Sequence, residues 1–373
     1  MIVPILLIVI SCLIIWRASD GFEAASEYLG RNMTDGVRGA TINAIGSSMP
    51  ELFTTLWFLF VLNDSDGFAG GIGTTAGSAI FNGMIIPAVV ILAVIGYRLA
   101  TSVNVSKKVI LRDGISLIVA EFLLIILVTG DTLYWWHGLI LMGMYGVYVA
   151  VLLGTMGVLG IEEDEEEEEE PTLEGDNDGF LKNLLTLDFE PIFVRDKITT
   201  GRAWGLLLTT MLVIGGSCAL LVHSCEQLAT EMGIAVYFVA VVIASAATSV
   251  PDTILSYRDA MNGEYDDAVA NALGSNIFDV CFALGFPLFI YCILEGPITM
   301  APETVENIAE LRVLLLILTV LAFFVYFIGQ GMGRVKAILL LAIYVFFTFF
   351  ILAKAYESQW AIDFGEMLQG IVR

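Results

Sequence analysis

The 373-residue chain is 57% hydrophobic and carries a formal net charge of −23. Soluble domains average about 45–50% apolar residues, so the composition excludes an ordinary soluble protein. Fourteen of the forty acidic residues lie between Glu162 and Glu190. The chain has no stripe of basic residues, which excludes nucleic acid as a partner. No catalytic or cofactor-binding motif is present, so neither an enzyme nor a bound cofactor is expected.

Apolar runs of about twenty residues recur along the chain and predict an all-α polytopic membrane protein. Residues 1–16 lack a basic start and a small-residue cleavage site, so we interpret them as part of the first span. The ten predicted transmembrane helices cover residues 2–30, 36–62, 68–97, 109–129, 132–155, 203–226, 233–258, 265–294, 311–329 and 335–354.

The charges of the connecting loops predict the orientation of the chain in the bilayer. If the N-terminus lies outside, thirteen of the seventeen basic residues fall in loops on the inner side. This bias follows the positive-inside rule. It predicts that both termini lie outside and that the acidic central loop is cytoplasmic.

The central loop divides the predicted spans into two groups of five. The predicted domains are an N-terminal membrane half at 1–158, the acidic loop at 159–201 and a C-terminal half at 202–373. Residues 162–170 are all acidic and are expected to be extended by charge repulsion, as a solvated linker or as a weak calcium sensor. A short surface helix is predicted at 181–198, before the sixth span.

A pattern of small, polar and acidic residues occurs twice within the apolar segments. Residues 44–51 read AIGSSMPE, and residues 245–252 read SAATSVPD. A second stretch follows each, GSAIFN at 77–82 and GSNIFD at 274–279. A charged residue in a spanning helix costs roughly 2.5–3.5 kcal/mol on insertion scales and therefore suggests function. Since five spans precede the loop and five follow it, the copies have opposite orientations, which predicts two inverted-topology five-helix repeats and a transporter.

The repeated pattern supplies oxygen atoms within the membrane. Pro50 and Pro251 each remove a backbone donor, which leaves carbonyl groups one turn earlier without their helical partner. Such carbonyls must line a cavity or bind a ligand. Together with nearby hydroxyls and the carboxylates of Glu51 and Asp252, they form a ligand set that hard cations such as Na⁺ and Ca²⁺ prefer. The competing interpretation is close packing of helices through small residues.

These residues resemble the α-repeats of the cation/Ca²⁺ exchanger superfamily, in particular its Na⁺/Ca²⁺ exchangers. The resemblance covers about 20–155 and 205–295 and follows the pattern G-[ST]-S-x-P-[ED], then G-S-[AN]-x-x-[ND]. Ala247 departs from it, because the family usually has glycine there.

The combination of Glu51, Asp252 and Asp279 is most similar to the K⁺-dependent branch of this family. Two segments are also similar to that branch, RD at 112–113 and WWHGL at 135–139. Na⁺, Ca²⁺ and K⁺ are thus the ions that the resemblance implies.

The resemblance also implies a role for each matched residue. Glu51 and Asp252 are expected to bind Ca²⁺ and to share the central Na⁺ positions. Asn82 and Asp279 are expected to flank the centre. The remaining implied ligands are hydroxyl or backbone oxygens of Ser47, Ser48, Thr248, Ser249, Ser78, Ser275, Ala44 and Ser245.

Charge counting leaves the dependence on K⁺ open. Glu51, Asp252 and an ionised Asp279 together carry three negative charges, which one Ca²⁺ and one K⁺ neutralise. If burial keeps Asp279 protonated, Ca²⁺ alone suffices. K⁺-linked exchange is the leading hypothesis, and K⁺-independent Na⁺/Ca²⁺ exchange is the alternative.

Three other functions also remain open. A related divalent cation/H⁺ exchanger fits the same fold, although the Ser and Thr ligands favour Na⁺. A cation channel would conduct without a counter-ion. An intramembrane aspartyl protease would use Asp252 and Asp279, but it explains neither Glu51 nor the duplication, and no Gly-x-Gly-Asp sequence is present.

Overall fold

A computed structural model describes residues 1–31, 44–158, 180–193, 198–329 and 331–370. Ten helical segments of spanning length lie in these ranges, some of them interrupted. In the N-terminal half they are α1 (Ile2–Gly30), α2 with α3 (Ala44–Ser47 and Met49–Leu62), α4 (Asp64–Gly96), α5 (Lys107–Leu127) and α6 (Trp135–Val158).

The C-terminal half contains the other five segments. They are α9 (Thr200–Met232), the interrupted α10, α11 and α12 (Val236–Val239, Ser245–Thr248 and Val250–Asn262), α13 with α14 (Tyr265–Phe278 and Leu284–Leu294), α15 (Pro302–Phe327) and α16 (Arg334–Ala355). π-helical turns at Ala240–Ala244 and Asp279–Ala283 interrupt the second and third of these segments.

The predicted all-α membrane fold is confirmed. Nine helical segments of the described residues are long enough and apolar enough to cross a membrane. The tenth, α5, is 21 residues long and carries Arg112, Asp113 and Glu121 among apolar residues. The chain thus has ten transmembrane helices, arranged as two inverted-topology repeats of five helices each.

Two small backbone pairings show the relationship between the halves. Strand β1 (Thr132–Leu133), between α5 and α6, pairs antiparallel with β2 (Ile298–Thr299), between α14 and α15. Val103, between α4 and α5, forms an antiparallel bridge with Met332, between α15 and α16. Each pairing joins the loop before the fourth helix of one half to the loop after the fourth helix of the other. The two pairings are therefore pseudo-symmetric counterparts.

Two differences from the sequence-based prediction concern surface segments. The predicted single helix at 181–198 is wrong, because two short helices occur instead, α7 (Phe180–Leu185) and α8 (Glu190–Phe193). Leu187 lies between them with a φ of 56°, which breaks the helix. An unpredicted helix, α17 (Gln359–Gln369), packs on α15. The acidic stretch 162–170 and the start of the predicted second span lie outside the described residues.

The core is formed where the helices that carry the repeated motifs cross. Helix α4 packs against the π-helical turn at Ala240–Ala244 and against α11, α12 and α13. Gly77 makes this approach possible, because a Cβ atom there would overlap the carbonyl oxygen of Val241 and lie 2.9 Å from the Cβ of Ser245. The N-terminal motif is thus held directly on its C-terminal counterpart.

Candidate ion-binding site

The two proline motifs lie at helix breaks within the membrane core. The helical path is interrupted at Ser48 (φ −94°, ψ 8°) and at Ser249 (φ −80°, ψ 3°). Because Pro50 and Pro251 have no N–H group, each break leaves a carbonyl without its usual helical donor. Glu51 and Asp252 lie in the first turns of α3 and α12, where unpaired N–H groups and the helix dipole stabilise negative charge.

Ser78 connects the two halves at the centre of the site. Its Oγ lies 3.0 Å from Oε1 of Glu51 and 2.9 Å from Oδ2 of Asp279. The same Oγ is 2.8 Å from Oγ of Ser249, which lies 3.4 Å from Oε1 of Glu51. Two carboxylates from opposite halves therefore converge on one serine of α4.

Asp252 has a corresponding environment. Ser275 Oγ donates a hydrogen bond of 2.6 Å to Asp252 Oδ1, and Asn82 Nδ2 donates one of 3.2 Å to Asp252 Oδ2. Asn82 Nδ2 also lies 3.3 Å from Ser78 Oγ. The chain of contacts from Asp252 through Asn82 and Ser78 to Glu51 is continuous, so the two repeated acids lie in the same buried polar cluster.

The cluster contains more acceptor oxygens than protons available to them. The hydroxyl of Ser78 has a single proton, although it lies within hydrogen-bonding distance of two carboxylates and another serine. Oε2 of Glu51, Oδ1 of Asp279 and Oδ1 of Asn82 are buried and have no hydrogen-bond partner among the described residues. Leaving such oxygens unpaired away from water is costly. A bound cation would remove this cost.

The other predicted ligands surround this centre. Ser47 Oγ lies 3.4 Å from Ser275 Oγ, Ser48 lies at the first helix break, and Thr248 directly precedes the second break at Ser249. All twelve predicted site residues are buried, with exposed fractions of at most 6%. The structure therefore brings the whole predicted set into one region away from bulk solvent.

The two predicted backbone ligands occupy matching positions. The carbonyl of Ala44 accepts hydrogen bonds from the backbone N–H of Ser48 and from Ser47 Oγ, at 3.2 and 3.4 Å. The carbonyl of Ser245 accepts them from Ser249 N–H and Thr248 Oγ1, both at 3.1 Å. These carbonyls are therefore engaged within their own helix ends, and ion binding there would require a shift of these bonds.

The arrangement differs from a compact cluster of charged ligands. Among the described residues, no group of three acidic, histidine or cysteine side chains is positioned to hold a metal ion without other ligands. Serines and an asparagine separate the carboxylates of Glu51, Asp252 and Asp279. A cation at this site therefore depends on neutral oxygen ligands as well as on charge.

Sequence reasoning missed one polar residue beside the site. Asn271 is buried, and its Nδ2 lies 3.1 Å from Ser256 Oγ and 3.5 Å from the carbonyl oxygen of Asp252. It precedes Ser275 by four residues and Asp279 by eight, so all three lie on one face of the helix. This spacing was the available signal, and the resemblance to the family motif does not extend to it.

Two further membrane acids have partners of their own. Asp113 accepts hydrogen bonds from Arg112 Nε at 2.6 Å and from Tyr148 at 3.1 Å. Glu121 accepts one of 2.6 Å from Thr319. These contacts link α5 to α6 and α15, which favours a structural role for both acids.

Comparison with known proteins places the chain in a family. The sequence model of the family described as sodium/calcium exchanger protein matches residues 3–154 and 202–353. Sodium/potassium/calcium exchanger 3 of Homo sapiens is 33% identical over 121 residues, which are 32% of this chain and 17% of that protein. Sodium/potassium/calcium exchanger 2 of Gallus gallus is 29% identical over 207 residues, 54% of this chain and 30% of that protein. The matched segments thus span less than a third of these relatives.

Two solved structures have the same fold over nearly the whole chain. The H⁺/Ca²⁺ exchanger CAX has a TM-score of 0.64 at 14% identity and covers 99% of this chain and 92% of its own. A structure of the sodium-calcium exchanger NCX_Mj has a TM-score of 0.56 at 19% identity and covers 93% of this chain and 97% of its own. Because the family match extends over both halves, the chain belongs to the sodium/calcium exchanger protein family.

Proposed function

We propose that the protein is a secondary antiporter that exchanges Na⁺ for Ca²⁺ by alternating access, with K⁺ moving together with Ca²⁺. The observation that carries this proposal is the buried cluster in which Glu51, Asp252 and Asp279 are joined by Ser78 and Asn82. Carboxylate, hydroxyl and amide oxygens are ligands of hard cations. The cluster is formed by both halves, so movement of one half relative to the other would change access to it.

The geometry explains how two kinds of ion would be coupled. Glu51 and Asp252 would bind Ca²⁺, and the same carboxylates would serve the central Na⁺ positions. The surrounding hydroxyls of Ser47, Ser48, Thr248, Ser249, Ser78 and Ser275 would complete these sites, together with carbonyl oxygens of Ala44 and Ser245. Because the ion types compete for overlapping oxygens, binding of one favours release of the other.

The proposed role of K⁺ depends on the third carboxylate. Asp279 is fully buried beside Glu51 and Ser78, so an ionised Asp279 adds a negative charge that Ca²⁺ alone leaves unbalanced. One K⁺ would restore neutrality in a buried cluster where uncompensated charge is costly. The two relatives described above are sodium/potassium/calcium exchangers, which supports the same choice.

An exchanger that uses H⁺ in place of Na⁺ is the second candidate. It is favoured by the fold match to an H⁺/Ca²⁺ exchanger. Its physical basis is the same cluster, because protons on Glu51 or Asp279 would satisfy oxygens that have no partner among the described residues. Either exchanger contrasts with a channel, which would conduct Ca²⁺ without a counter-ion.

The deciding experiment is Ca²⁺ uptake by purified protein in proteoliposomes, with gradients of Na⁺, K⁺ and H⁺ varied one at a time. We expect Ca²⁺ uptake to require an outward-directed Na⁺ gradient and to increase when K⁺ is added on the same side as Ca²⁺. Uptake indifferent to K⁺ would leave K⁺-independent exchange, and uptake driven by a pH gradient without Na⁺ would establish the second candidate. Ohmic Ca²⁺ current without any counter-ion would reject both exchangers.

The loop charges also support an orientation with both termini outside and the acidic segment 159–201 in the cytoplasm. Labelling with a membrane-impermeant reagent tests it, using cysteine-free protein with a single cysteine at Ser358 or at Leu185, which is 82% exposed in the central segment. Labelling of the Ser358 variant alone in intact cells is the expected result.

A further inference from the structure

A narrow pocket lies between α1, α2 and α12, beside the central cluster. On α1 its lining residues follow helical spacing, so they form one stripe along the helix. Those used below are Trp16, Ser19, Asp20, Glu23 and Ser26. On the other side the pocket reaches Ser47 and Pro251. The pocket therefore extends from a pair of carboxylates to a residue of the proposed ion-binding site.

Arg258 connects the two sides of this pocket. Its Nη2 lies 2.8 Å from Asp20 Oδ1, and its Nη1 lies 3.4 Å from Glu23 Oε2. The side chains of Asp20 and Glu23 are 24% and 23% exposed, and that of Arg258 is 47% exposed. The guanidinium thus lies at the solvent side and holds α12 to α1 through two carboxylates. Arg17 contacts the other oxygen of Asp20 at 3.2 Å from within α1.

A buried hydroxyl provides a second, independent sign of a ligand. Ser19 is only 7% exposed, lines the pocket and has no hydrogen-bond partner for its Oγ among the described residues. Ser26 also lines the pocket and donates its proton to the carbonyl oxygen of Phe22, so its oxygen lone pairs remain available. Two hydroxyl oxygens therefore lie on the same stripe as the carboxylates.

The line of oxygens continues into the central cluster. Ser47 lines the inner part of the pocket, and its Oγ lies 3.4 Å from Ser275 Oγ. Ser275 in turn donates a hydrogen bond of 2.6 Å to Asp252. Arg258 follows Asp252 by six residues on α12, a rise of about 9 Å at the usual 1.5 Å per residue. The path from the carboxylates of Asp20 and Glu23 to the central cluster is thus short and lined by oxygen ligands.

We propose that Asp20, Glu23 and Ser19 form a binding site for a divalent cation on the route to Glu51 and Asp252. We call it the outer site because it lies nearer to solvent than the central cluster, not because it is extracellular. Arg258 competes with the cation for the two carboxylates. This inference rests on the proposed cation-exchange function. A divalent cation that displaces the guanidinium also releases the link between α12 and α1. The outer site would thereby admit the ion and loosen the contact that covers its path.

Luminescence of Tb³⁺, a probe for Ca²⁺ sites, tests this proposal, because Trp16 in the pocket can sensitise its emission. The host is the full chain carrying Glu51→Gln, which disables the central site. We expect saturable emission on tryptophan excitation that Ca²⁺ displaces and that Trp16→Phe reduces. Asp20→Asn with Glu23→Gln should abolish the Trp16-dependent part. Arg258→Ala should lower the Tb³⁺ concentration at half-saturation about tenfold, because a competing positive charge is removed.

Two controls separate the outer site from general charge effects. Asp363→Asn with Glu366→Gln removes an exposed pair at the same spacing on α17 and should leave the emission unchanged. Arg258→Lys keeps a positive charge and should retain most of the competition. Trp16-dependent emission that survives loss of both carboxylates, or half-saturation unmoved by Arg258→Ala, would overturn the proposal. Because Tb³⁺ binding in this host needs no transport, either failure is distinct from a failure of Na⁺/Ca²⁺ exchange.

Discussion

Asn82 Nδ2 donates a hydrogen bond of 3.2 Å to Oδ2 of Asp252, which joins the second stretch of the first repeat to the acid of the second. The pseudo-symmetric counterpart of Asn82 is Asp279, which lies beside Ser78 of the other half. The repeat is therefore symmetric in backbone but not in charge, since one of the two flanking positions is an amide and the other an acid.

This asymmetry predicts the outcome of a charge exchange. Asn82→Asp replaces a donor to Asp252 with a like charge and should strongly reduce Ca²⁺ uptake. Asp279→Asn removes one negative charge and should make uptake independent of K⁺. Combining the two substitutions restores the total charge, so partial recovery of K⁺-dependent uptake is expected in proteoliposomes. A double variant no better than Asn82→Asp alone would show that position, and not total charge, determines the requirement for K⁺.

Glu51→Gln should abolish Ca²⁺ uptake while the protein remains folded. The amide keeps the shape of the side chain but removes the charge that is proposed to bind the ion. Uptake and size-exclusion profiles should be measured beside Glu303→Gln, which changes an exposed acid in the first turn of α15. Normal uptake by the Glu51 variant would remove this residue from the site.

Gly77→Ala should disrupt the contact between the halves. The added methyl group would overlap the carbonyl oxygen of Val241, a backbone atom that cannot rotate away. Gly83→Ala is the matched control on the same helix, because its nearest neighbour would be Asn276 Nδ2 at 3.6 Å, an ordinary contact. We expect a lower midpoint of thermal unfolding and little uptake only for the first variant. Equal behaviour of both would contradict this close approach.

Lys354→Met should destabilise the end of α16. Its Nζ lies 2.7 Å from Oε1 of Glu310, whose side chain is 4% exposed. Removing one partner of a buried ion pair costs roughly 3 kcal/mol, because the remaining charge is left uncompensated. Thermal unfolding in detergent should show a lower midpoint, and adding Glu310→Gln should restore much of the loss. Failure of the second substitution to help would attribute the effect to packing.

Much of the architecture was predictable because the bilayer restricts the choices. A membrane span needs about twenty residues with internally satisfied backbone groups, so apolar runs are informative. Helix α5 was predicted despite Arg112, Asp113 and Glu121, and the structure places both acids in contacts with neighbouring helices. The breaks at Ser48 and Ser249 were predictable from the prolines that follow them.

Other features depend on tertiary contacts that local patterns do not encode. The convergence of Glu51 and Asp279 on Ser78 requires residues about two hundred positions apart to meet. Asn271 carries a clear helical spacing, but its relation to Asp252 appears only when α12 and α13 are packed together. The role of Arg258 was likewise not evident, because its partners lie on α1, far away in sequence.

Shared use of the buried cluster around Glu51 and Asp252 by two kinds of ion is tested most directly by measuring Ca²⁺ binding to the purified protein at increasing Na⁺ concentrations. We predict that Na⁺ weakens Ca²⁺ binding competitively, without reducing the number of Ca²⁺ ions bound at saturation. We also predict that Asp252→Asn removes this Na⁺-sensitive binding. Ca²⁺ binding that is unaffected by Na⁺, or that persists unchanged in Asp252→Asn, would contradict a shared site between the two halves.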